Sequence, residues 1–231
     1  MNLVLRYLYN KYRPGGPKWR PLAAVYYLTY ACPLRCVYCS DGTGTPYHAL
    51  KEPARPLAEV VKILAAIRRA CGTLILTGGE PAVHPDFPAV LRALRELRFD
   101  EVILTTKGAR LEGLETELNN CVTRLVLSVD TLDPLKAASI YNDGGPVLEK
   151  TLQALERLTR LPGRRFEVYV SSVAGTFNLD DLPAVCELAG RAGAWYAAQP
   201  QLRGVKAPPE LISDPRYRAF YNLLIEKKRV K

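Results

Sequence analysis

Residues 23–40 read AAVYYLTYACPLRCVYCS. The stretch Ala23–Thr29 is almost continuously apolar, β-branched or aromatic, as in a parallel strand covered on both faces. Immediately after it come three cysteines, Cys32, Cys36 and Cys39, at spacings of four and three. Four cysteines would close a tetrahedral zinc site or fill all four corners of a [4Fe–4S] cube. Three leave one iron without a protein ligand, where a small molecule can bind and react.

Working outward, five further runs have the same apolar character: Leu74–Thr77, Glu101–Thr105, Arg124–Val129, Phe166–Ser172 and Trp195–Ala198. Segments of helical period fill the gaps. Pro56–Ala70 carries Leu57, Val60, Val61, Leu64 and Ile67 on one face, and Asp86–Leu97 opens with an acidic cap before Phe87, Val90, Leu91 and Leu94. Leu111–Leu118, Gly145–Leu161 and Asp180–Ala192 follow, and Asp214-Pro215 opens a last helix in cap-then-proline order. Strands alternating with helices mean βα units and a parallel sheet. Eight such units close a barrel in about 250 residues. Six units predict an open, partial (β/α)6 barrel.

In parallel βα architectures the chemistry gathers on loops leaving the C-terminal ends of the strands. The cysteine run leaves the first strand and Gly78-Gly79-Glu80-Pro81 the second. Thr105-Thr106-Lys107-Gly108 leaves the third, Ser128-Val129-Asp130 the fourth, Ser171-Ser172 the fifth and Gln199-Pro200-Gln201 the sixth. Every polar candidate therefore falls on one rim. Gly78 and Gly79 have no Cβ, so a ligand can approach their backbone closely, and Glu80 places a carboxylate beside it. For the cysteines the alternative is zinc, with His48 or Asp41 as fourth ligand.

The cysteine run fits CxxxCxΦC with Tyr38 as the aromatic Φ, and with the GGEP loop it resembles the radical S-adenosylmethionine (SAM) enzyme superfamily over roughly residues 22–229. The resemblance implies a partial barrel and a [4Fe–4S] cluster on Cys32, Cys36 and Cys39. It implies that SAM chelates the open iron and is cleaved reductively to a 5′-deoxyadenosyl radical. That radical abstracts hydrogen from a substrate the sequence does not identify. The electron would come from a reductant such as flavodoxin or ferredoxin. Gly78, Gly79, Glu80 and Pro81 would hold SAM, with Glu80 accepting from the methionyl ammonium. Tyr38 would lie near the adenine, with Thr106, Ser128 and Ser171 among the residues around the nucleoside. Asp130 either contacts the ribose or caps Asp133–Tyr141, and Asn178 either lines the adenosine side or caps a helix. One departure stands out: Lys107 occupies the place of the asparagine in the family's Thr-Asn-Gly stretch. The competing reading is a non-catalytic iron–sulfur or zinc protein, structural or electron-transferring.

Composition narrows the rest. With 231 residues and 48% hydrophobic content, one domain can bury a full core. Six cysteines in that length are not a disulfide scaffold. Cys71, Cys121 and Cys186 are expected as buried thiols. The net charge of +9 is spread along the helical segments rather than blocked, which disfavours nucleic-acid binding. No continuous apolar h-region or 18-residue apolar stretch occurs, so the expected location is the cytoplasm. Residues 1–21 are read as a separate basic amphipathic leader, packed across the barrel base or lying on an anionic membrane, and 22–231 as the core domain.

Overall fold

The computed structural model describes Tyr12 and residues 21–39, 45–142 and 146–229. The reading of residues 1–21 as a leader therefore lies almost wholly outside the described residues. The strands are β1 (Ala24–Tyr27), β2 (Thr73–Thr77), β3 (Glu101–Thr106), β4 (Arg124–Ser128), β5 (Glu167–Ala174) and β6 (Trp195–Pro200). All neighbours pair in parallel, in the order β1-β2-β3-β4-β5-β6, and β6 does not pair back to β1. This is the partial (β/α)6 barrel the alternation predicts.

The helices are α1 (Leu57–Ala70), α2 (Phe87–Leu97), α3 (Glu115–Cys121), α4 (Pro134–Tyr141), α5 (Val147–Thr159), α6 (Leu182–Arg191), α7 (Pro209–Ile212) and α8 (Pro215–Arg229). Charge placement suits the helix dipole in α1, with Glu59 in the first turn and Arg68 and Arg69 in the last. Helix α2 stops where Arg98 turns left-handed, at φ 51°. Asp86 stands at its N-cap but makes no side-chain capping bond, so the acidic cap expected there is one of position only. No helix among the described residues is long and apolar enough to cross a membrane.

Two expectations need correcting. The helix expected at Leu111–Leu118 begins at Glu115, because Gly113 sits at φ 78° and the chain before it is a succession of turns. Nor are the strands covered equally on both faces. Leu74, Leu76, Val102, Leu104, Leu125, Leu127, Val168 and Val170 are fully buried and form the core with Val60, Leu64, Val90, Leu91 and Leu158 of the helices. Each such side chain contributes about 1.5–3 kcal/mol through burial. The alternate residues, Ile75, Ile103, Val126, Tyr169 and Ser171, line the inner face and stay half-exposed, while Val25 and Trp195 on the edge strands are exposed. The sheet does not close, so this inner face opens onto a lumen.

Candidate active site

The cluster loop is fastened from two sides. From the sheet side, β1 and β2 keep pairing past their ends: Leu28 N–H donates to Thr77 O (2.9 Å), Gly79 N–H to Thr29 O (2.8 Å) and Glu80 N–H to Ala31 O (3.0 Å). From the helix side, Arg35 and Val37 N–H donate to the carbonyls of Tyr141 and Ile140 at the end of α4 (3.0 and 2.9 Å). Within the loop, Leu34 N–H points at Cys32 Sγ (3.4 Å) and Cys39 N–H closes a turn on Cys36 O (3.0 Å).

This geometry revises the reason for the glycines. A Cβ on Gly79 would stand 2.5 Å from Tyr30 O and 2.6 Å from Ala31 O, and one on Gly78, at φ 154°, would collide with Thr29 O. What approaches these glycines in the structure is the chain leading into Cys32. The two motifs are therefore one mechanical unit, with the GGEP loop setting where the cysteine loop begins.

The three cysteines are free and half-buried. Burial pushes the Cys32 thiol up to about 11 and Cys36 to about 12, and raises Cys39 as well. Cluster binding must therefore displace protons from them. Of the other cysteines, Cys71 precedes β2 and Cys121 precedes β4, at the opposite ends of the strands, and Cys186 lies within α6. Cys71 and Cys186 are buried as expected, whereas Cys121 is half-buried, its S–H directed at Glu117 O (3.3 Å). Among the described residues no three His, Cys, Asp or Glu side chains converge as ligands of one ion. A cube, which takes one thiolate per corner, does not require that. The side chains of Asp41 and His48, the alternative zinc ligands, lie outside the described residues. The donor set of three thiols on one rim loop fits a [4Fe–4S] cluster with one iron left open.

Glu80 is buried, and its carboxylate is held on three sides. Oε1 accepts from Thr106 Oγ1 (2.5 Å) and Ala82 N–H (3.1 Å), and Oε2 accepts from Lys107 N–H (2.8 Å). Burial raises its pKa while these hydrogen bonds pull it back. An ionised carboxylate offers about four acceptor positions, so one on Oε2 stays free for a cationic donor. Pro81 is buried and opens the one-turn helix Pro81–Val83 that brings Ala82 N–H to Glu80.

Asp130 does not take the capping role read for it. It is fully buried, and Asp133 caps α4 instead, accepting from Leu135 and Lys136 N–H (2.8 and 3.1 Å). Asp130 Oδ2 accepts from Tyr38 OH (2.5 Å) and from Lys107 Nζ (3.1 Å), while Oδ1 accepts from Val173 N–H (2.8 Å). Asn178 likewise caps no helix. Its amide donates to Asp130 O and Val173 O (2.8 and 3.0 Å) and its oxygen accepts from Gly175 N–H (2.9 Å), tying the exit of β5 to that of β4. The Tyr38 ring stacks on Phe177, centroids 5.8 Å apart. Gly175 makes room for that phenyl ring, which a Cβ would strike. Burial and the Asp130 charge hold the Tyr38 phenol far above its usual range.

Lys107, in the sequence only a departure from a motif, is the centre of the site in the structure. Its ammonium is buried, paired with Asp130, 3.3 Å from Ser128 O and 3.6 Å from the centroid of the Tyr141 ring. Burial works against its charge, but Asp130, Tyr141 and Cys36 together more than reverse this and raise its pKa. Burial also pushes Tyr141 up to about 12, opposed by Lys107. Ser128 and Ser171 are register partners on β4 and β5, half-buried on the inner face. The structure thus gathers Cys32, Cys36, Tyr38, Cys39, Glu80, Thr106, Lys107 and Asp130 in one hydrogen-bonded rim, with the two serines below it.

Comparison with known proteins places the chain in a family. The profile of the Radical SAM superfamily matches residues 26–189. A GTP 3′,8-cyclase from Rhodopseudomonas palustris is 33% identical over 72% of this chain and 48% of its own length. One from Bradyrhizobium diazoefficiens is 35% identical over 68% of this chain and 46% of its own. The chain thus spans about half the length of the curated relatives it matches. Among solved structures, Streptococcus suis SuiB bound to S-adenosylmethionine superposes with a TM-score of 0.70 at 17% identity, over 90% of this chain and 45% of that one. That likeness is one of fold.

Proposed function

This chain belongs to the radical SAM superfamily, and on that premise we propose that it is an enzyme that cleaves SAM reductively and uses the 5′-deoxyadenosyl radical to take hydrogen from a substrate. The family's cofactors are a [4Fe–4S] cluster and SAM, and the rim fits both. One observation carries the reading: three free thiols on a loop that is hydrogen-bonded, residue by residue, to the Gly78–Glu80 loop.

When bound, the cluster supplies the electron that breaks the carbon–sulfur bond of SAM. The chain's own residues do the rest. Cys32, Cys36 and Cys39 give up their protons and hold three corners. Glu80, fixed by Thr106, Lys107 N–H and Ala82 N–H, turns its remaining acceptor position to the methionyl ammonium. Ser128 and Ser171, on the inner face beneath the rim, offer hydroxyls to the ribose or the substrate. Tyr38 is held by Asp130 and Phe177 rather than free to swing, so any contact it makes with adenine is through a fixed ring.

Anaerobic reconstitution tests the cofactor assignment: iron and sulfide each near four per chain, followed by SAM titration monitored by the cluster's electron paramagnetic resonance (EPR) signal. Stoichiometric zinc without iron would refute it. GTP is the first substrate to offer, because the curated relatives quoted above are named for acting on it.

A further inference from the structure

The proposed reaction leaves one strong feature of the rim without a task, the buried Lys107 ammonium. It reaches across from the end of β3 to the end of β4, where it pairs with Asp130 over the face of Tyr141. The same Asp130 oxygen receives the Tyr38 hydroxyl, and Tyr38 lies between Cys36 and Cys39. The backbone carbonyl of Tyr141, whose ring lies under the ammonium, accepts from Arg35 N–H in the same loop. A change at Lys107 is therefore felt by the cluster loop through two independent contacts.

We propose that Lys107 is a positioning residue that also sets the reduction potential of the cluster, holding Tyr38 through Asp130 and placing a buried cation beside the loop that carries the three cysteines. Reduction adds a negative charge to the cluster, and a desolvated cation nearby stabilises that added charge over the oxidised form. Asp130 contributes the opposite sign. The inference rests on the assignment of the cluster to Cys32, Cys36 and Cys39, and the test separates the two claims.

The full chain and the variants Lys107→Met, Lys107→Arg, Asp130→Asn and the double Lys107→Met/Asp130→Asn are reconstituted anaerobically at one pH, without SAM. Iron and sulfide are measured first. A wild-type chain without a cluster refutes the assignment of the thiols, whereas a loaded wild type passes to an EPR-monitored redox titration. Lys107→Met should make reduction about tenfold less favourable, about 59 mV for a one-electron couple. Asp130→Asn should shift the potential the other way, Lys107→Arg should stay near wild type, and the double variant should fall between the two single ones. Loosening of the loop alone would move both single variants in the same direction, and that result overturns the proposal. So does an unmoved potential in a loaded Lys107→Met. If Lys107→Met takes up no cluster, Asp130→Asn and Lys107→Arg decide. An Asp130→Asn potential that does not rise, or a Lys107→Arg shift as large as that of Asp130→Asn, overturns it.

Discussion

Replacing Gly79 by alanine asks whether the glycine pair makes space for a ligand or for the chain. The added Cβ would lie 2.5 Å from Tyr30 O, 2.6 Å from Ala31 O and 2.9 Å from Ala31 C. Carbon–oxygen contacts settle at about 3.3–3.6 Å, so one strand exit must move by on the order of 1 Å. All three atoms are backbone, so no side chain can swing away to relieve the clash. Overpacking of this kind costs about 1–3 kcal/mol. The movement also stretches the Gly79–Thr29 and Glu80–Ala31 hydrogen bonds, each worth about 1 kcal/mol. The total is about 3–5 kcal/mol, taken from the segment that positions Cys32. In urea unfolding of the apoprotein the midpoint should fall by on the order of 1 M, and iron per chain after reconstitution should fall with it. An unchanged midpoint and full iron content with weakened SAM binding would refute this reasoning. The space would then belong to the ligand.

Three further outcomes are expected. Glu80→Gln should keep the cluster and lower SAM affinity ten- to hundredfold, about 1.5–3 kcal/mol, because a buried charged acceptor is lost while its shape remains; isothermal titration with SAM reads this directly. Replacing Cys71, Cys121 and Cys186 together by alanine should leave iron and sulfide content unchanged, whereas losing any one of Cys32, Cys36 or Cys39 should abolish the cluster absorption. With those three replaced, Cys121, pushed up to about 12 by burial against an ordinary 9.0, should carry about a thousandfold less thiolate than a free cysteine at pH 8. Its reaction with a disulfide reagent should be correspondingly slow and should accelerate tenfold per pH unit. A rate typical of an exposed thiol would contradict the burial seen here.

The barrel was legible because its strands are short apolar runs separated by helical periods, and even β6, Trp195–Pro200, shows itself that way. The cysteine and GGEP loops were legible as local motifs. What escaped was either very short or long-range. The helix Pro134–Tyr141 enters the sequence reading as Asp133–Tyr141, but with the wrong cap, although it carries the same Asp-Pro opening at Asp133-Pro134 that marks the last helix at Asp214-Pro215. The boundary of α3 turned on the left-handed conformation of Gly113, a property of backbone geometry rather than of pattern. The hub of Tyr38, Lys107, Asp130 and Asn178 joins residues up to 92 positions apart, and no periodicity reports such a meeting. Its one trace was Lys107 in place of an asparagine. The glycines stand out in the sequence for the right property, lack of a Cβ, but the neighbour needing the space, Thr29–Ala31, is set by how the exits of β1 and β2 pair.

The proposed SAM-cleaving site consists of three thiols and the loop bound to them. The most direct measurement is the chromatographic yield of 5′-deoxyadenosine from reconstituted protein incubated anaerobically with dithionite and SAM, beside the Cys36→Ala variant. The account predicts 5′-deoxyadenosine with an equal amount of methionine from the wild type and none from the variant. Equal yields from the two, or no 5′-deoxyadenosine from a cluster-loaded wild type that also fails to bind SAM, would contradict it.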